Sequence, residues 1–126
     1  MSSPDIVLLA TDRKIRAPLR AQLIEEGFEV LAADTWEMMR RHLHPASKPR
    51  LAIVDLQGLP EPDRVLAGMR ALIKPEQVVV LAALGTVPPG EIARYGFRVV
   101  TRPIRIGNIV AAAAQVMTQQ PTEGPA

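Results

Sequence analysis

A chain of 126 residues fits a single domain and is long enough to bury a core of useful size. With 48 % apolar and 22 % charged residues the balance is that of an ordinary globular protein, and with only 3 % aromatics the core must come from Leu, Ile, Val, Ala and Met. No cysteine is present and the net charge is only +2, which excludes disulfides, thiolate metal sites and cysteine nucleophiles, and offers little support for nucleic-acid binding.

In chain order, Met1-Ser2-Ser3-Pro4-Asp5 has no basic stretch and places an acid before the first apolar run. That speaks against a secretory signal and makes a cytoplasmic protein the expectation. Ile6 to Ala10 reads as a strand buried on both faces. Ile15, Leu19 and Leu23 then recur at helical spacing, and Gly27 stands where a helix commonly stops. Pro18 either marks a late start for this helix or costs it one backbone bond. Phe28 to Ala32 reads as the second strand, and Asp34-Thr35-Trp36-Glu37 as a capping box for a helix carrying Trp36, Met38, Met39 and Leu43. Pro45 and Pro49 close that helix. Leu51 to Asp55 is the third strand, and after a Gly/Pro-rich loop Asp63 helps to cap a helix with Val65, Leu66, Met69 and Leu72 on its inner face.

Val78 to Ala83 is the fourth strand. The longest apolar run, Val78 to Leu84, is far too short to cross a bilayer. Glu91 to Tyr95 forms a short helix ended by Gly96, and Phe97 to Thr101 is the fifth strand. A last helix covers Ile106 to Met117, so residues 1–118 form the domain and residues 119–126 a disordered tail. Short apolar runs alternating with longer amphipathic stretches predict a three-layer α/β/α sandwich with a parallel sheet.

Asp55 matters most for function, because a carboxylate at the C-terminal end of a buried parallel strand sits at the ligand-binding edge of an open α/β sheet. No glycine occurs in Ala10-Thr11-Asp12-Arg13-Lys14, which argues against a phosphate-binding loop after the first strand. His42 and His44 have no nearby acidic or sulfur ligands and read as surface residues near a helix end, with Arg40 and Arg41 beside them.

Several landmarks occur together in order: Ile6-Val7-Leu8-Leu9, Ile15-Arg16, Gly27-Phe28, Asp55 at the end of strand three, Val78-Val79-Val80-Leu81, and Val99-Val100-Thr101-Arg102-Pro103-Ile104. In this combination the chain resembles the response-regulator receiver (CheY-like) family over nearly its whole length. The resemblance implies a flavodoxin-like (βα)5 fold with sheet order 2-1-3-4-5. It also implies a phospho-acceptor aspartate, two acids after the first strand that help to hold magnesium, a Ser/Thr after the fourth strand and a lysine after the fifth. Such a set suits phosphoryl transfer, where charge building on several oxygens needs a divalent cation and a fixed positive side chain.

Mapped onto this sequence, Asp55 takes the phospho-acceptor position, but Ala10 and Thr11 stand at the acidic pair, Ala82 at the hydroxyl and Arg102 at the lysine. Val99 stands where the family often has a rotating aromatic. The resemblance therefore implies a pseudo-receiver: no catalysis, no cofactor, a protein partner in a signalling pathway, and neither nucleic acid nor membrane. Asp12 is expected to cap the first helix. If it were recruited to the pocket instead, the alternative is a genuine Mg2+-dependent phospho-accepting receiver that uses Asp55. A receiver cut from a larger regulator would account for the polar tail. An ion pair between Asp55 and Arg102 is expected to fill the pocket.

The last helix has no charge from Ile106 to Gln120. Ile109, Ala112 and Val116 are expected to face the sheet, and Ile106, Val110, Ala113 and Met117 to form a second apolar stripe. The family's usual contact face, made by its fourth helix, fifth strand and last helix, makes Ile106, Val110 and Met117 candidates for an interface, including a homodimer.

Overall fold

The computed structural model describes residues 4–44, 47 and 49–119. Strands β1 (Ile6–Leu9), β2 (Val30–Ala33), β3 (Leu51–Asp55), β4 (Val78–Leu81) and β5 (Arg98–Val100) alternate with helices α1 (Arg13–Glu25), α2 (Trp36–Arg40), α3 (Pro62–Leu72), α4 (Pro89–Arg94) and α5 (Ile106–Gln119). The strands form one parallel sheet of order β2-β1-β3-β4-β5, the (βα)5 three-layer sandwich the sequence predicts.

Strand pleating explains the two cores, because successive side chains point to opposite faces. Val7, Leu9, Ala52, Val54, Val78 and Val80 meet Met39 of α2, Val65, Leu66 and Met69 of α3 and Ile92 of α4. Their neighbours Ile6, Leu8, Leu51, Ile53, Val79 and Leu81 meet Leu19 and Leu23 of α1 and Ile109, Ala113, Val116 and Met117 of α5. The three central strands are buried along their whole length and the edge strands β2 and β5 are mostly half-buried, so the sheet's middle is dry on both faces.

Local chemistry sets the element ends. Asp12 caps α1, accepting the Lys14 amide at 2.9 Å. Pro18 lies inside that helix, so the backbone bond is forfeited there and the start is not delayed. At the other end Gly27 takes φ 97°, donating its amide to the Ile24 carbonyl while the Phe28 amide reaches Leu23. This paired closure draws Phe28 into the helix cap and moves the start of β2 to Val30, two residues later than predicted. Thr35 caps α2 through the Met38 amide, and the helix ends at Arg40, well short of Leu43. The residue before α3 is Glu61 at φ 48°, with no side-chain cap, and Asp63 lies in the first turn. There Pro62 occupies the start of the helix, where a missing N–H costs nothing.

Helix α5 differs from expectation in which residues it hides. It packs on α1 as well as on the sheet, so Ala113 and Met117 are buried with Ile109 and Val116. Ala112 is half-buried, as are Ile106 and Val110. The wide apolar arc seen in the sequence is therefore used largely inside the fold, and Met117, at 7 % exposure, offers no surface for a partner. The helix continues through Gln119, which the sequence had placed in the tail. The rest of that tail lies outside the described residues, as do Pro45 and Ala46 near the end of α2.

Candidate functional site at the C-terminal edge of the sheet

Parallel register brings the strand ends together. Leu9 pairs with Val54 and Asp55 with Leu81, so Ala10 follows level with the aspartate on one side and Ala82 stands one residue beyond it on the other. The Ala82 amide then bonds to Val100 of β5, and Arg102 follows two residues on. Asp55 is 1 % exposed and Arg102's side chain 23 %.

The expected ion pair is present: Arg102 Nη2 donates to Asp55 Oδ1 at 2.9 Å. It is not bidentate. The same oxygen also accepts the Gln57 amide at 3.0 Å, while Asp55 Oδ2 and Arg102 Nε are buried without a hydrogen-bond partner among the described residues. Burial pushes the Asp55 carboxyl above its ordinary value of 3.8. The Gln57 amide and the Arg102 guanidinium oppose that rise without cancelling it, and the charge of Asp12 adds to it.

The positions beside Asp55 carry little that could bind a cation. Ala10 is fully buried and Ala82 nearly so. Thr11 is half-buried, and its hydroxyl donates to the Gln57 carbonyl at 2.8 Å. Gly58 makes this approach feasible: it takes φ 72°, and a Cβ there would lie 2.8 Å from Thr11 Oγ1. Asp12 is exposed and occupied with its cap. Magnesium prefers six oxygens in near-octahedral order. Here one oxygen of Asp55 carries two donors, the Gln57 carbonyl accepts a hydroxyl, and a guanidinium stands alongside, so the arrangement does not fit that ion. Among the described residues no group of three or more His, Asp or Glu could hold a metal.

Two participants carry no signal that the sequence analysis used. Arg16, in the first turns of α1, donates through Nη1 to the Ala10 carbonyl at 2.8 Å and the Thr11 carbonyl at 3.2 Å. Helical side chains lean towards the N-terminus, and that lean was the one available sign that Arg16 could reach back over its own loop. Gln57 acts through its backbone, which residue type does not reveal. Thr86 is the nearest hydroxyl along the chain after β4, but its Oγ1 donates to the Ala83 carbonyl at 2.6 Å. Val99 packs into the core on the α2–α4 side. His42 and His44 follow α2, which descends to the opposite edge of the sheet. An open groove of about 420 Å³ runs along the outer edge of β2, lined by Pro4, Arg20 and Glu29, and contains none of the residues around Asp55.

Solved structures with the same fold include response-regulator receiver domains. The chain superposes on the signal receiver domain of a protein named as a LuxO repressor from Vibrio parahaemolyticus with TM-score 0.77 and 19 % identity, covering 93 % of this chain and 92 % of that one. A CheY-like response regulator receiver domain protein from Methanospirillum hungatei matches with TM-score 0.75 and 16 % identity over 94 % and 96 % of the two chains. The receiver domain of NtrX from Brucella abortus matches with TM-score 0.74 and 21 % identity, over 92 % of this chain and 100 % of that one. No protein-family model matches the chain, and no curated protein matches it in sequence. The chain thus has the CheY-like receiver fold, with an aspartate at the end of β3. No helix among the described residues is long and apolar enough to cross a membrane.

Proposed function

We propose that this protein is a signalling module that works by protein–protein contact on a receiver scaffold, without phosphoryl transfer to Asp55. The observation that carries the reading is the state of Asp55: it is 1 % exposed, paired with Arg102, and flanked by Ala10, Thr11 and Ala82. A carboxylate must be open to an incoming phosphoryl group and close to a divalent cation to accept it. Here a resident guanidinium supplies the countercharge. The contact surface in this reading is the outward side of α5 around Ile106 and Val110, together with β5 and α4, and a second copy of the chain is one candidate partner.

One observation favours a second reading, a phospho-accepting receiver that recruits Asp12 and magnesium: Asp55 Oδ2 has no hydrogen-bond partner among the described residues and could act as the nucleophilic oxygen. The two readings separate in one experiment. Purified protein is incubated with a small phosphodonor and magnesium, and intact mass is followed beside an Asp55→Asn control. The proposed function expects no adduct from a folded protein. An adduct that requires both magnesium and Asp55 would overturn it and establish the second reading.

A further inference from the structure

The hydrogen bonds at the sheet edge join into one continuous chain. Arg16 Nη1 holds the Thr11 carbonyl, and the Thr11 hydroxyl donates to the Gln57 carbonyl. The Gln57 amide donates to Asp55 Oδ1, which also accepts from Arg102. These five residues come from α1, the β1–α1 loop, the β3–α3 loop, the end of β3 and the β5–α5 loop. Each link spans sequence-distant segments or tightens a loop between them, and a chain of hydrogen bonds in a low-dielectric setting polarises its members in common.

We propose that this chain is a polar strap that runs along the C-terminal edge of the sheet from the β1–α1 loop and fixes the β5–α5 loop, and with it the start of α5. It rests on the reading above in one respect: the strap sets the surface where Ile106 and Val110 begin the proposed contact face. Its test needs no partner, so failure here leaves the contact reading standing or falling on its own experiment.

Three features support the strap. Both ends are arginines: Arg16 Nη1 holds the Ala10 and Thr11 carbonyls, and Arg102 Nη2 holds one oxygen of Asp55. The middle link, from Thr11 to Gln57, is the only one made by an uncharged side chain, and it passes over Gly58, where any larger residue would displace Thr11. Residues Thr101, Pro103 and Arg105 are exposed and the loop has no regular structure, so its ties are Arg102, the half-buried Ile104 and the Arg105 carbonyl, which accepts the Asn108 and Ile109 amides of α5. A loop held by so few ties responds when one of them is cut anywhere along its length, and a coupling claim of this kind requires mutations that act at a distance.

The experiment is backbone and arginine side-chain 15N relaxation on the whole protein, comparing the wild type with Thr11→Val and Thr11→Ser. Among the described residues Thr11 shares no hydrogen bond with Arg102 or α5, so a merely local role would leave that loop unmoved. The strap predicts that Thr11→Val lowers the order parameters of Arg102, Ile104 and Arg105 from about 0.85 towards 0.6. Thr11→Ser, which keeps the hydroxyl, should restore them. Wild-type values for residues 101–105 in Thr11→Val, with changes confined to residues 10–12 and 56–59, would overturn the proposal. A uniform loss of order that includes β1 and β3 would overturn it as well, because that pattern reports global stability and not a coupled edge.

Discussion

Replacing Arg102 with alanine tests whether the guanidinium is what allows Asp55 to stay charged in its site. The variant leaves a 1 % exposed carboxylate with the Gln57 amide as its remaining donor. Removing one member of a buried pair costs about 3–5 kcal/mol when the other charge stays buried. Arg102 is 23 % exposed in its side chain, so water can enter behind it, and a loss of about 2–3 kcal/mol at neutral pH is the better expectation. With a urea slope of about 1.5 kcal/mol/M, the midpoint should fall by roughly 1–2 M. The pH dependence has a definite sign. Burial raises the Asp55 carboxyl above 3.8, so the folded state binds its proton more tightly than the unfolded chain does. Asp55 therefore contributes most to stability below 3.8, and that contribution is lost as pH rises through its folded pKa. Without Arg102 the folded pKa rises further, and the gap between variant and wild type should shrink as the solution is acidified. The double variant Asp55→Asn/Arg102→Ala should recover most of the loss at neutral pH, because no buried charge remains. An unchanged midpoint for Arg102→Ala at pH 7, or a gap that persists when Asp55 is protonated, would refute the reasoning.

Further expectations follow from packing. A Cβ on Gly68 would lie 2.6 Å from Trp36 Cζ2, so Gly68→Ala should push the α2 tryptophan out of place. We expect a loss of about 1–3 kcal/mol and a shifted emission maximum, readily measured because Trp36 is the one tryptophan of the sequence. Met117→Glu buries a carboxylate between α1, α5 and the sheet and should cost at least about 3 kcal/mol, visible as a large fall in melting temperature. Val110→Glu, on the half-buried side of α5, should change stability by less than about 1 kcal/mol while weakening any contact that uses this face. Equal melting temperatures for the two variants would contradict the assignment of the helix faces.

Much of this arrangement is legible along the chain because its causes are local. Buried parallel strands read as short apolar runs, Gly27 stops a helix because it tolerates a positive φ, and Asp12 caps the next turn. The pairing of Asp55 with Arg102 was also legible, since a carboxylate at one strand end and a guanidinium just beyond another meet when both strands run parallel. What local pattern leaves open is how each apolar surplus is used. Helix α5 shows a broad apolar arc in isolation, and only the approach of α1, from the other end of the chain, decides that Ala113 and Met117 are interior while Ile106 and Val110 stay half-buried.

The edge network belongs to the same class. Thr11 finds the Gln57 carbonyl because β1 and β3 are neighbours in register, and Arg16 reaches Ala10 and Thr11 because the first turn of α1 folds back over its own loop. Residue type and spacing determined the order of the elements, the parallel sheet and the place of the aspartate, since period and turn chemistry act over a few residues. The Gln57 amide on that aspartate, and the carbonyls that accept from Thr11 and Arg16, were decided by tertiary structure, because backbone carbonyls and amides carry no signature in the sequence and become partners only when the chain is folded.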